Sequence, residues 1–158
     1  MIDPRELRIG NIILFQGEPA KVMGIHTGTV LLDGVMRPSA NGIDIEYNPI
    51  PASEGALQPL PLNDFLLESM RKGKFVGYSG AIQHQYHLRS SVYTIMSDED
   101  GYFIGMEKED GPVHITPCRF YYFHQLQNIH FAQYGEEIDI SEQEVKIAWR
   151  TANNLNKV

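Results

Sequence analysis

Residues 121–137 read YYFHQLQNIHFAQYGEE. The stretch holds five aromatics and two histidines around a polar centre of Gln125, Gln127 and Asn128, and stops at Gly135. Its apolar groups demand burial and its amides demand hydrogen-bond partners. Phe123, Leu126, Ile129 or His130, and Gln133 or Tyr134 recur at three- and four-residue spacing. That spacing predicts a helix with one aromatic face on a sheet and Gly135 at its left-handed end. On such a helix His124 and Asn128 share a face and are open to a hydrogen bond with each other. His124 and His130 are six residues apart and do not share a face.

Working outward, Ser141 and Glu144 form the capping box of a second helix. Ile140 and Val145 are its staple, and Val145, Ala148, Trp149, Ala152 and Leu155 form one stripe. Upstream, Ser91–Met96 and Tyr102–Met106 read as strands flanking Asp98–Gly101, a loop longer than two residues. Asp110-Gly111 leads to a third strand at Val113–Ile115, which completes a meander. Before these, Asn63 N-caps a short helix with Asp64 in its first turn and Leu62 and Leu67 as staple. Phe65, Leu66, Leu67 and Met70 give its apolar face, and Arg71, Lys72 and Gly73 its end.

The first half reads as short strands at Asn11–Phe15, Ala20–Ile25, Thr29–Leu32 and Ile43–Tyr47, with turns at Asp33-Gly34 and Asn41-Gly42. Pro49–Pro61 carries four prolines and reads as an extended connector with little ladder pairing. The fold expected is α+β: an antiparallel sheet with an SH3-like or barrel-like N-terminal portion, a short middle helix and two C-terminal helices. Residues 1–158 form a single compact unit, with a sub-boundary at 49–61 between a small β portion, 1–48, and an α+β portion, 62–158.

Composition narrows the function classes. The chain has 158 residues, 42% hydrophobic and 21% charged, which is globular and not disordered. A net charge of −7 argues against general nucleic-acid affinity, since only 13 Lys and Arg are spread along the chain. One cysteine excludes an internal disulfide framework and suits a reducing cytoplasm. The N-terminus carries acids early and no apolar core of signal-peptide length, and no run has membrane-span length.

Three motifs then add up: Leu7-Arg-Ile-Gly-Asn11, Leu60-Pro-Leu62, and His124-Gln-Leu-Gln-Asn128 with Phe131 and Gly135-Glu-Glu137. Together they resemble a family of small uncharacterised proteins of Bacteroidetes genomes, found in prophage-like or other mobile regions. The resemblance runs from end to end, and the H-x-L-Q-N helix is its most specific part. This chain departs from the pattern in its longer, proline-rich connector and in a second C-terminal helix after Ile140. The resemblance implies no particular activity and no catalytic residues.

The residues that carry chemistry point no further. His84 and His87 on a strand face opposite ways, and His124 and His130 diverge on a helix, so a zinc set does not assemble. The bland reading is surface and helix-end histidines with ordinary hydrogen bonds. Asp98, Asp100, Gly101 and Glu107 match positions 3, 5, 6 and 12 of a calcium loop, but Met96 stands at position 1 and the flanks are strands. Cys118 lies near His114 and His124 in sequence, yet between aromatic stretches that favour an inert buried thiol. Esterase, dinucleotide and Walker signatures are absent.

The expectation is therefore a non-enzymatic, cytoplasmic binding or adaptor protein of a bacterial mobile element or prophage. It has no cofactor, no metal and an unidentified protein partner. His124, Gln125, Gln127 and Asn128 are the candidate interaction surface, weighed against a purely structural role for the amides. The alternative is nucleic-acid binding by a local patch of Arg5, Arg8, Lys21 and Arg37. A weaker one is a metal-assisted hydrolase built on His84, His87, His114 and His130. The sequence carries no sign of oligomeric state.

Overall fold

The computed structural model describes residues 2–27, 29–33, 36–39, 42–45, 49–51, 57–70, 84–87, 94–108, 111–114 and 119–155. Its contacts divide the chain into two units, Met1–Pro61 with Tyr122–Glu137, and Leu62–Tyr121 with Ile138–Val158. The fold is α+β: antiparallel sheets come first and helices gather late.

The first unit opens with a short 3-10 turn, Pro4–Glu6, capped by Asp3, whose carboxylate accepts the Arg5 N–H at 2.9 Å. Seven strands follow: β1 (Ile12–Phe15), β2 (Glu18–His26), β3 (Thr29–Leu32), β4 (Met36–Ser39), β5 (Gly42–Ile45), β6 (Pro49–Pro51) and β7 (Leu57–Gln58). β1 and β2 are joined by Gln16-Gly17, both at positive φ (52° and 83°), as a type I′ hairpin turn requires. A bulge between Val22 and Gly24 shifts the β2–β3 register. Five strands form one sheet in the order β6-β3-β2-β1-β7, while β4 and β5 pair as a separate hairpin.

Two expectations change here. The sheet is open, with β6 and β7 at its edges, so the barrel-like closure does not form among the described residues. Those edges are only three and two residues long, too short to pair onward. The proline-rich connector is also not an unpaired spacer. Its two ends supply both edge strands, β6 against β3 and β7 against β1. Proline lacks a donor but is tolerated at a sheet edge, where one side of the strand needs no ladder.

The core of this unit is Ile2, Leu7, Ile13, Ala20, Val22, Val30, Leu32 and Leu57, with Phe15 packed against it. Each such aliphatic side chain contributes about 1.5–3 kcal/mol on burial. Ile12, Ile13 and Leu14 of β1 are all buried, so polar alternation is lost because both faces of this strand are covered. One cover is helix α2 (Phe123–Tyr134), which contacts β1.

The second unit contains helix α1 (Asp64–Met70), a meander of β8 (His84–His87), β9 (Thr94–Asp98), β10 (Gly101–Lys108) and β11 (Gly111–His114), and helix α3 (Glu142–Leu155). Asn63 caps α1 as expected, its Oδ1 accepting the Leu66 N–H at 2.9 Å. Leu66, Leu67 and Met70 are buried, whereas Phe65 is exposed and is not part of the apolar face. α1 contacts α3, which buries Val145, Ala148 and Ala152. The expected helix end at residues 71–73, Asn41, and Cys118 lie outside the described residues.

The β9–β10 loop is shorter than expected. Asp98 pairs with Gly101, leaving the two-residue turn Glu99-Asp100. Asp98 Oδ1 accepts the Asp100 N–H at 2.9 Å, and Gly101 supplies φ +123°. An Asx contact and a glycine together allow the tight reversal.

The capping box of α3 is present on both sides. Glu144 accepts the Ser141 N–H at 2.8 Å, and Ser141 Oγ accepts the Glu144 N–H at 3.2 Å. Ser141→Ala is expected to cost about 1 kcal/mol in urea unfolding. An unchanged midpoint would mean that the cap contributes nothing.

Candidate functional site

The signature helix turns its polar residues inward. α2 is closed at its C-terminus by Gly135, at φ 72°, whose N–H donates to the Phe131 carbonyl at 2.8 Å. At its start, Gln125 Oε1 accepts the Tyr122 N–H at 3.2 Å. His124 and His130 are 1% and 0% exposed, so they are core residues and not the surface or helix-end histidines expected. The reason is the double cover on β1, which places one face of α2 in the interior together with whatever polar groups it carries.

Gln127 is 4% exposed and grips the chain entering β1. Its Oε1 accepts the Ile12 N–H at 2.8 Å and its Nε2 donates to the Gly10 carbonyl at 3.1 Å. A side-chain amide thus replaces a neighbouring strand for two buried backbone groups. Asn128 continues the pattern: its Oδ1 accepts from Asn11 Nδ2 at 2.9 Å, and its Nδ2 donates to the Glu6 carbonyl at 2.8 Å. The expected His124–Asn128 bond does not form, because both ends of the Asn128 amide are used elsewhere and neither ring nitrogen of His124 has a hydrogen-bond partner.

Arg8 completes the network. Its guanidinium makes a two-pronged pair with Glu137, Nη2 to Oε2 at 2.9 Å, and Nη2 also donates to the Gln127 carbonyl at 3.2 Å. It lies 4.0 Å from the centre of the Phe131 ring. The Arg8 N–H donates to Asn11 Oδ1 at 2.9 Å. Residues from 7–11 and from 124–137, two of the three sequence motifs, therefore meet in one intramolecular network.

The other candidate residues are placed as follows. Arg5 is engaged by Asp3, Nη2 to Oδ2 at 2.6 Å, and these bonds hold the Asp3 carboxyl at about 2. Lys21 is half-buried in β2 opposite Ile12. Arg37 lies in β4, and its side chain is outside the described residues. His84 and His87 lie in β8 and His114 in β11, the two opposite edges of the meander. Among the described residues no group of three His, Cys, Asp or Glu side chains is arranged to hold a metal ion.

The second unit carries a feature that local sequence reading missed. An open cleft of about 570 Å³ is lined by Asp64, Ser97, Asp98, Glu99, Asp100, Gly101, Tyr102 and Tyr121. Asp64 comes from the first turn of α1, Tyr102 from β10, and the other acids from the β9–β10 turn. Burial first, and then the neighbouring Asp64 carboxylate that accepts its hydrogen bond, push the Tyr102 phenol up to about 12. It stays a neutral donor at physiological pH. Tyr121 donates its hydroxyl to the Asp100 carbonyl at 2.9 Å, and its ring packs over Gly101, where an added Cβ would lie 2.6 Å from the ring.

Arg119 pairs with Asp98 at 2.6 Å and approaches Asp100 at 3.6 Å. The acids that resemble a calcium loop are thus partly spent on an arginine and on the turn itself. No sequence spacing joins Asp64, Tyr102 and Tyr121, which meet only through the fold. Compared with protein-family models, curated proteins and solved structures, the chain matches none.

Proposed function

We propose that this chain is a non-enzymatic binding or adaptor protein of a bacterial mobile element, and that it receives a basic side chain of a partner protein in the cleft of the second unit. The observation that carries this reading is the lining of that cleft: four carboxylates, Asp64, Asp98, Glu99 and Asp100, with the rings of Tyr102 and Tyr121. Carboxylates attract a lysine or arginine through space, and a tyrosine face adds a cation–π contact. Arg119 at Asp98 is an internal example of the same pairing. The net charge of −7 draws cationic partners towards the protein at long range.

The signature helix supports a structural role for its amides and leaves recognition to another surface. The nucleic-acid alternative loses ground, because Arg5 is paired with Asp3 and Arg8 with Glu137.

The test is calorimetric titration with an arginine-rich peptide and with its serine-substituted control. Binding is expected only for the cationic peptide and is expected to weaken with salt. Glu99→Gln combined with Asp100→Asn is expected to weaken it about tenfold, close to 1.4 kcal/mol. Equal binding by the double variant would refute the assignment to this cleft.

A further inference from the structure

Among the described residues, His124 is a buried group whose chemistry the network around it leaves unused. Its imidazole is 1% exposed, and neither ring nitrogen has a hydrogen-bond partner. The Tyr122 ring lies nearly parallel to it, 5.9 Å between centres and 10° between planes. The nearest charge is Glu6, whose Oε2 is 3.7 Å from Nε2, beyond hydrogen-bond distance. The Glu6 side chain is 59% exposed, and so is mostly committed to water.

We propose that the seat of α2 on the N-terminal segment is a proton-operated latch, with His124 as the group that senses the proton. A neutral imidazole is tolerated in this seat, but an imidazolium there is buried with only the mostly exposed Glu6 carboxylate, 3.7 Å away, to offset its charge. His124 is also the second residue of α2, where the helix end carries partial positive charge and repels a cation. Glu6 is the one counter-charge on the adjoining turn, and a protonated ring has to move towards it or towards water.

That movement is coupled to the rest of the seat. Asn128, one helical turn after His124, holds the backbone carbonyl of Glu6, and Gln127 holds the Ile12 N–H. Displacing the first turn of α2 therefore loosens the contacts that anchor β1. Burial lowers the His124 pKa, and Glu6 opposes that shift. His130 on the same helix is also lowered by burial, opposed by Glu136 and Glu137 and reinforced by Arg8, while its ring contacts Tyr134 at 4.9 Å.

For a histidine with a depressed folded pKa, the contribution to stability is fully present above the unfolded value of about 6.5. It is lost as pH falls below that value towards the folded pKa. The Ile12 amide is the reporter, because it is bound by Gln127. Its hydrogen-exchange protection is expected to hold above pH 6.5 and to fall below it, by up to about tenfold per pH unit for one linked proton. His124→Leu is expected to remove that proton's share of the slope, and His130→Leu to retain it. In the wild-type protein, the His124 ring followed by NMR is expected to titrate below 6.5. A His124 titration at or above 6.5, or a slope abolished by His130→Leu and kept by His124→Leu, would overturn the proposal.

Discussion

Gln127→Leu is expected to destabilise the protein by about 2–6 kcal/mol, although leucine nearly matches glutamine in size. The cost comes from what the substitution leaves behind. Ile12 is 3% exposed and Gly10 is buried, so water cannot replace the amide at either backbone group. Each orphaned buried donor or acceptor costs about 1–3 kcal/mol, and two are created at once. Gln127→Glu is not a rescue, because a carboxylate accepts from Ile12 but cannot donate to the Gly10 carbonyl. The total is a large fraction of a normal domain's stability of about 5–15 kcal/mol. Urea unfolding measures it; a loss below about 0.5 kcal/mol would mean that the two bonds contribute nothing net.

Gly10→Ala is expected to cost about 1–4 kcal/mol by a different route. Gly10 has φ +98°, a conformation that a side-chain-bearing residue adopts only under strain of about 1–3 kcal/mol. An added Cβ would also sit 2.6 Å from Glu137 Oε1. The carboxylate is the end of a flexible side chain and can swing away, but doing so opens its fork with Arg8. That partly exposed pair is worth up to about 1 kcal/mol. The Gly10→Ala penalty is therefore expected to shrink, without vanishing, in a Glu137→Gly background. An equal penalty in both backgrounds would assign the whole effect to backbone strain.

Features fixed by neighbours in the chain were legible. The Ser141–Glu144 box, the Asn63 cap and the Gly135 terminus each depend on residues within a few positions, and each is present. The meander was legible for the same reason, since its strands follow one another in order. What failed depends on distant chain. Proline content argued against pairing in 49–61, but pairing at an edge needs only one competent side. The histidines of α2 read locally as surface and helix-end groups, because nothing local shows that β1 is covered on both faces. Motifs 7–11 and 124–137 were visible separately, yet the bonds that unite them span 115 to 129 positions. The cleft draws on residues 64, 97–102 and 121, and no periodicity connects them.

The motifs at 7–11 and 124–137 converge in one network of the first unit. Their residues fasten α2 to β1 within the first unit.

The central claim is that the signature residues form one coupled internal network. A double-mutant cycle on Asn11→Ala and Asn128→Ala, read by urea unfolding, tests it most directly. The two side chains bond each other at 2.9 Å across 117 positions of sequence. Coupling of about 0.5–3 kcal/mol is the expected result. Effects that add to within about 0.3 kcal/mol would contradict the network.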